Sequence, residues 1–309
     1  MFDHTSFSDV FVTEEGQLPY DRNLCQEIEA HRKHADGTLF IDRVLQALGI
    51  IRAKAYPPKN ETALRQLHRL ICDTGMALHH KLTIFYYMLL DYDDMNNDVH
   101  VSENFASVSG MPANYQLFMK GLWYLDRQHY SRALEFVAHP SLKPDFADDI
   151  IITLVKRASD NDYELALSYF NSVQPILKTQ EALELLFDAM AKTNVTEALM
   201  YSRAQPQHTR EQLFRRWVSA VLDGSRTGED LSSRASELAF IPLDASEERW
   251  FEEYLTAGEG RHLKGAKDTL LIRKIACDRF DEIGRFRSSG GQWASILDGI
   301  KAGTGVQNE

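Results

Sequence analysis

The chain has 309 residues, 44% of them apolar, and 34 basic against 45 acidic side chains give it a net charge of −11. This length and apolar content can bury a sizeable core, whereas the negative charge argues against tight non-specific binding to a nucleic-acid phosphate backbone. Three widely spaced cysteines offer neither a zinc motif nor a disulfide framework. The longest apolar run ends at Leu90 and is too short to cross a bilayer, so we expect no membrane insertion.

The first third of the chain predicts a series of helices. Residues 1–19 lack the basic and apolar segments of a secretion signal, and we assign them to an N-terminal extension. Apolar residues at helical spacing then predict helices at about 20–35, 38–50, 60–74 and 76–91, with a short one near 103–106.

An aromatic-rich stretch from Phe118 to Leu142 follows, and its spacing predicts two helices. Phe118 and Leu122 share one helical face, and Trp123 widens it. Tyr130 begins the same pattern in the next helix, and residues 126–129 are interpreted as the turn between the two. We therefore predict the buried seam of one helix pair, not a ligand cage.

A weak repeat continues this pattern. It aligns the dipeptides Ala133–Leu134, Ala166–Leu167 and Ala198–Leu199, which are 33 and then 32 residues apart. Prolines recur at a similar interval, at Pro144, Pro175, Pro206 and Pro242. Because proline cannot continue a helix, each marks a boundary between helix pairs. One helix pair per period of roughly 30–35 residues is the signature of an α-solenoid.

Capping signals support helix starts in the second half. A capping oxygen stands three residues before a Glu or Gln at Asn194 with Glu197, Thr209 with Gln212 and Asp244 with Glu247. The glycine-containing segment 299–309 predicts a flexible C-terminal tail. Sustained alternation of apolar and polar residues is missing from the sequence. We therefore predict an all-α fold, an irregular α-solenoid of helix pairs without a β-propeller, forming a single helical domain over 20–298.

One acidic motif raises an enzymatic alternative. Asp93, Asp94 and Asp98 resemble the aspartate-rich motif of all-α class I terpene synthases and prenyltransferases, where carboxylates hold Mg²⁺ against a substrate diphosphate. The second metal motif of those enzymes is missing, and the structural interpretation is an acidic loop between helices. We predict no enzymatic activity and no catalytic, cofactor or metal site, and keep the enzyme as the alternative.

Basic residues are most concentrated near the C-terminal end. They are predicted to form a protein-docking patch: Arg261, Lys264, Lys267, Arg273 and Lys274. A charge run is most often solvated surface, so the functional interpretation requires an acidic partner.

Longer strings resemble a known family. They are LFIDRVLQ from Leu39, YPP from Tyr56, HHKL and YYMLLD between His79 and Asp91, YQLFMKGLWYLD from Tyr115, ALEFVAHPSLKPDF from Ala133 and VTEALMYSRAQP from Val195. Together they run through roughly residues 39–206 and resemble the helical domain of the ELYS nucleoporins, in particular their short fungal form.

This resemblance implies a non-enzymatic structural scaffold in the Y-shaped coat complex of the nuclear pore, at the nuclear envelope. It implies binding to two nucleoporins, a small WD-repeat protein and the large propeller-plus-solenoid subunit of the short arm, and support of pore assembly and nucleocytoplasmic transport. Animal relatives add a β-propeller and a DNA-binding tail. We expect neither here, and no direct contact with nucleic acid.

Overall fold

The structure, a computed structural model, describes residues 2–11, 20–50, 55–95, 100–159, 162–222 and 228–283, with the single positions 299 and 302. Its helices are, in chain order, α1 (Phe7–Val10), α2 (Arg22–His34), α3 (Phe40–Ala47), α4 (Glu61–Asp73), α5 (Leu78–Met95), α6 (Val101–Ser109), α7 (Ala113–Asp126), α8 (Tyr130–Val137), α9 (Ala147–Lys156), α10 (Glu164–Val173), α11 (Gln180–Thr193), α12 (Val195–Arg203), α13 (Gln207–Val221), α14 (Gly228–Phe240), α15 (Ala245–Thr256), α16 (Ala266–Ala276) and α17 (Phe280–Ile283). A 3-10 turn, η1 (Glu259–His262), separates α15 from α16.

No strand occurs in the described ranges, and the predicted all-α fold of irregular helix pairs without a β-propeller is confirmed for them. In this part of the chain, no helix combines the length and the apolar character needed to span a bilayer.

Proline positions divide the helices into pairs, as the repeat predicts. One pair, α9 and α10, lies between Pro144 and Pro175, and α11 with α12 lies between Pro175 and Pro206. Pro206 and Pro242 enclose α13 and α14. The two members of each pair pack against each other. The covalent restriction of proline therefore sets the period of the fold.

Contacts group the chain into two compact units. The first comprises Met1–Arg157 and Glu164–Leu177, and the second comprises Ala158–Tyr163 and Lys178–Glu309. The predicted single domain over 20–298 and the N-terminal extension 1–19 stay predictions. The predicted flexible tail lies outside the described residues except at positions 299 and 302.

Some helix ends differ from the predicted ones. The helix α5 continues to Met95, so the acidic run after Leu90 begins within a helix and not in a loop. The helix α13 begins after Pro206, so Thr209 lies inside the helix and does not cap it. Proline is favourable here because its fixed φ suits a helix start, where an N–H has no intrahelical partner. The Asp244 capping box is confirmed, with Asp244 and Glu247 each accepting a backbone N–H from the other.

A buried carboxylate organises the first unit. Asp91 of α5 is 0% exposed, and its Oδ2 accepts hydrogen bonds from the hydroxyls of Tyr20 and Tyr56 at 2.8 and 2.6 Å. Its Oδ1 accepts from the Trp123 indole at 2.8 Å and from the Arg127 guanidinium at 3.0 Å. Burial and the nearby Asp91 charge raise the pKa of both tyrosines well above the usual value.

A second buried carboxylate fixes the start of α3. Asp126 accepts backbone N–H bonds from Phe40 and Ile41 at 2.7 and 3.0 Å and a hydroxyl bond from Tyr87 at 2.7 Å. It thus satisfies N–H groups that a helix start leaves unpaired. Burial raises the pKa of Asp126 to about 7, against the hydrogen bonds that lower it. The predicted turn lies at residues 127–129, one residue shorter than expected, because Asp126 is the last residue of α7. Asp126 and Arg127 are buried.

The aromatic stretch forms a buried seam between α7 and α8, as predicted. Tyr124 of α7 stacks on Phe136 of α8 with ring centroids 5.4 Å apart. Trp123 is 6% exposed, and its indole N–H binds Asp91 of α5. A Cβ added at Gly121 would lie 2.5 Å from a Val137 methyl carbon. The missing side chain therefore allows the two helices to approach closely.

We expect Trp123→Ala to lower the free energy of unfolding by about 3–5 kcal/mol, because a packed indole is removed from the core. Trp123→Phe keeps a ring but removes the indole N–H, and we expect a loss of about 1–3 kcal/mol because buried Asp91 loses one of its four hydrogen-bond donors. Urea unfolding followed by circular dichroism measures both. A loss below about 1 kcal/mol for Trp123→Ala would contradict the burial of the indole.

Asp126 should make the stability depend on pH. The pKa of an exposed aspartate is about 3.9, so between about pH 4 and 7 the unfolded chain releases a proton that folded Asp126 keeps. Its contribution is greatest below this window and is lost as the pH rises through about 7. We expect the unfolding free energy of wild type minus that of Asp126→Asn to fall across the window. A flat difference would mean that Asp126 is already ionised in the folded protein at low pH.

Candidate functional site

The predicted basic patch begins in residues 260–267, named here the basic loop, which run from the turn η1 into the first two residues of α16 and pack against α15. A Cβ added at Gly260 would lie 2.5 Å from the Tyr254 ring, and one at Gly258 would lie 2.9 Å from the Tyr254 carbonyl oxygen. Neither position can carry a side chain without displacing its neighbour, because no ordinary contact is that short. These glycines hold the basic loop close to Tyr254.

Three of the five predicted docking residues lie on the surface of this loop. Arg261, Lys264 and Lys267 are exposed. The Arg261 guanidinium contacts His262 with Nε 2.8 Å from the imidazole Nε2. Neither Lys264 nor Lys267 forms an ion pair with another described residue. Their charges therefore remain available to a partner.

The other two predicted docking residues are buried, and this corrects the patch. Arg273 is 4% exposed; it binds the carboxylate of Glu248 and donates to the carbonyl oxygens of Ala239 and Ile241 at 3.0 and 2.9 Å. Such a fully used guanidinium joins α16 to α15 and to the end of α14. Arg273 therefore supports the fold and does not face a partner.

Lys274 likewise points into the protein. Its ammonium lies 2.6 Å from Glu252 and 2.7 Å from Glu282, which joins α16 to α15 and α17. Hydrogen bonds from Lys274 and Arg279 hold the pKa of Glu282 below its usual value. The exposed part of the predicted patch is thus Arg261, Lys264 and Lys267.

A groove of about 650 Å³ opens beside the basic loop within the second unit. Its walls come from α11, α13, the end of α15 and the turn η1, and its lining residues are Asp188, Lys192, Gln212, Arg215, Arg216, Ser219, Ala220, Tyr254, Gly258, Glu259 and Leu263. Sequence reasoning missed this groove because its residues come from four separate segments. A local signal exists only on α13, where Gln212, Arg216 and Ser219 follow helical spacing on one side.

The arginines of the groove are already paired. Arg216 binds Asp188 through two contacts of 2.6 and 2.8 Å and Glu184 through one of 2.6 Å. Arg215 binds Glu211 at 2.8 Å. These pairs leave the groove walls close to neutral, so the unpaired positive charge is concentrated in the basic loop.

One residue of the acidic motif proposed for the enzymatic alternative, Asp93, has a structural role. Asp93 accepts a hydrogen bond from the backbone N–H of Val101 at 2.7 Å and another from the Ser102 hydroxyl. The Asp93 carboxylate therefore caps the start of α6. Asp94 is exposed, and Asp98 lies outside the described residues. Among the described residues, no group of three His, Cys, Asp or Glu side chains has the geometry to hold a metal ion.

Helices packed in pairs run through both units, which places the described ranges in the class of all-α proteins built from helix pairs. The chain belongs to the ELYS family, described as "Nuclear pore complex assembly", whose model matches residues 38–258. It is also 30% identical over 176 residues to the uncharacterized protein ely5 of Schizosaccharomyces pombe. That match covers 56% of this chain and 56% of the relative. Family membership supports localisation at the nuclear pore.

Because Arg273 is buried and Lys264 is exposed, substitutions at the two positions should change the unfolding free energy by very different amounts. We expect Arg273→Met to lower the unfolding free energy by about 3–5 kcal/mol, because Glu248 and two carbonyl groups lose their partner. The matched surface change Lys264→Met should stay within about 0.5 kcal/mol. Thermal and urea unfolding of the two variants measure this difference. Equal losses would contradict the division of the patch.

Proposed function

We propose that this protein is a structural component of the nuclear pore, built into the Y-shaped coat complex through contacts with other nucleoporins. The observation that carries the proposal is the family match over residues 38–258, which covers helices of both units. In this role the protein supports pore assembly and, through it, nucleocytoplasmic transport. Its partners are a small WD-repeat nucleoporin and the large propeller-plus-solenoid nucleoporin of the short arm, without an enzymatic reaction.

The composition is in keeping with this role. Paired helices present long surfaces for protein contacts, which is how helical repeat proteins commonly bind. A net charge of −11 disfavours direct binding to nucleic acid and favours partners with basic surfaces. A partner with an acidic surface would bind at the basic loop. Fold alone does not establish a function, so the role depends on the family assignment.

Localisation and co-purification test the proposed role. We expect a fluorescent fusion expressed from its own locus to mark the nuclear rim, and affinity purification to recover subunits of the Y-shaped complex. Diffuse fluorescence together with a purification free of nucleoporins would overturn it.

The exposed loop is the part of the predicted patch that we propose for partner docking. Reversing Arg261, Lys264 and Lys267 to Glu should weaken binding to the reconstituted short-arm nucleoporins and reduce its salt dependence, because surface charges act mainly on association. We expect about a tenfold rise in Kd for the triple variant. Reversal of the exposed Lys33, Lys59 and Lys143 to Glu is the control with the same change of charge, and it should bind like wild type. Unchanged binding of the loop variant would exclude the loop as the docking surface.

A further inference from the structure

The groove and the basic loop adjoin each other, and we propose that together they seat an acidic peptide segment of a partner protein. In this arrangement, the carboxylates of the segment meet Lys264 and Lys267, and an apolar side chain enters the groove against Tyr254 and Leu263. This inference extends the proposed function. It rests on that function in one respect, namely that the partner is a protein of the nuclear pore.

The size and lining of the groove fit a segment of polypeptide. A volume of about 650 Å³ falls within the range of sites that enclose a small ligand or several side chains. Ser219 and Ala220 leave space between the walls because their side chains are small. Gln212 and Ser219 offer amide and hydroxyl groups to a peptide backbone, and Tyr254 and Leu263 offer apolar contact.

Charge decides which kind of segment fits. Residues 260–267 carry Arg261, Lys264 and Lys267 and no acidic residue, in a chain whose net charge is −11. Glu259 and Asp268 stand directly at the two ends of this stretch. An acidic segment is therefore attracted to the loop and repelled from its borders, which confines it to one place.

The same lining disfavours a nucleic acid. Asp188 and Glu259 line the groove, and Asp188 neutralises Arg216, so the walls offer a continuous phosphate backbone little net positive charge. A peptide can place acidic residues at the loop and apolar or neutral residues in the groove. The mixed lining therefore favours a peptide over a polyanion.

Fluorescence anisotropy on the full chain can test the site without knowing the partner. The probe is a labelled synthetic peptide of twelve residues, with glutamates and aspartates on both sides of a central Leu-Phe pair, at low ionic strength. Ser219→Trp and Gln212→Trp fill the groove without changing its charge, and we expect each to raise the Kd about tenfold. Lys264→Glu with Lys267→Glu should raise it at least as much and flatten its salt dependence.

Matched controls separate the groove from general charge attraction. Ser172→Trp places the same new side chain on an exposed position of α10, and Lys33→Glu with Lys143→Glu reverses two exposed lysines of the first unit. Both should bind the peptide like wild type, and thermal melts should show that all variants fold.

Three results would overturn the site. They are a wild-type chain that does not bind the peptide, both groove variants binding as tightly as wild type, and a single-stranded oligonucleotide of equal charge binding more tightly than the peptide. Rim localisation reports on the proposed function separately, so a failure of the groove leaves the pore role standing. A failure at the rim leaves the peptide measurement interpretable.

Discussion

The charge of Asp91 is the constraint on which the first unit depends. A fully buried carboxylate is costly unless each oxygen is hydrogen-bonded, and here donors from before α2, before α4 and from α7 converge on it. Those donors lie 32 to 71 residues away in sequence. An arrangement that misplaces any of these segments leaves the carboxylate partly unpaired. The network therefore penalises alternative packings of the helices more than it adds to net stability.

The features that the sequence predicts well are those with a local physical cause. Proline cannot continue a helix beyond its first turn, so Pro175 and Pro206 mark boundaries between helices by covalent chemistry alone. The buried polar network has no such local cause. Asp91 and Asp126 stand among other polar residues and look like solvated positions, because the groups that pair with them are distant in sequence. Only the folded chain brings these partners together.

The basic patch shows a different limit, because the sequence did contain a signal. Ala266, Thr269 and Leu270 are buried, and Arg273 and Lys274 follow them at the spacing of a single helical face. The apolar stripe of α16 thus predicts that both cations point inward, toward the glutamates of α15. Counting charges along the chain overlooked this periodicity. The groove could not be predicted from the sequence, because its walls come from helices that are distant from one another along the chain.

The position of a cation relative to its own protein determines what it can do for a partner. Arg273 and Arg216 bind carboxylates of the protein itself, and Arg273 also binds backbone carbonyl groups, so both arginines hold helices together. Lys264 and Lys267 have no such partner among the described residues, but exposed charges on flexible side chains contribute little affinity by themselves. They influence the rate and the selectivity of association more than its strength. A partner bound at the proposed docking site therefore needs desolvated contact area beside those charges, and the groove next to Tyr254 adjoins them.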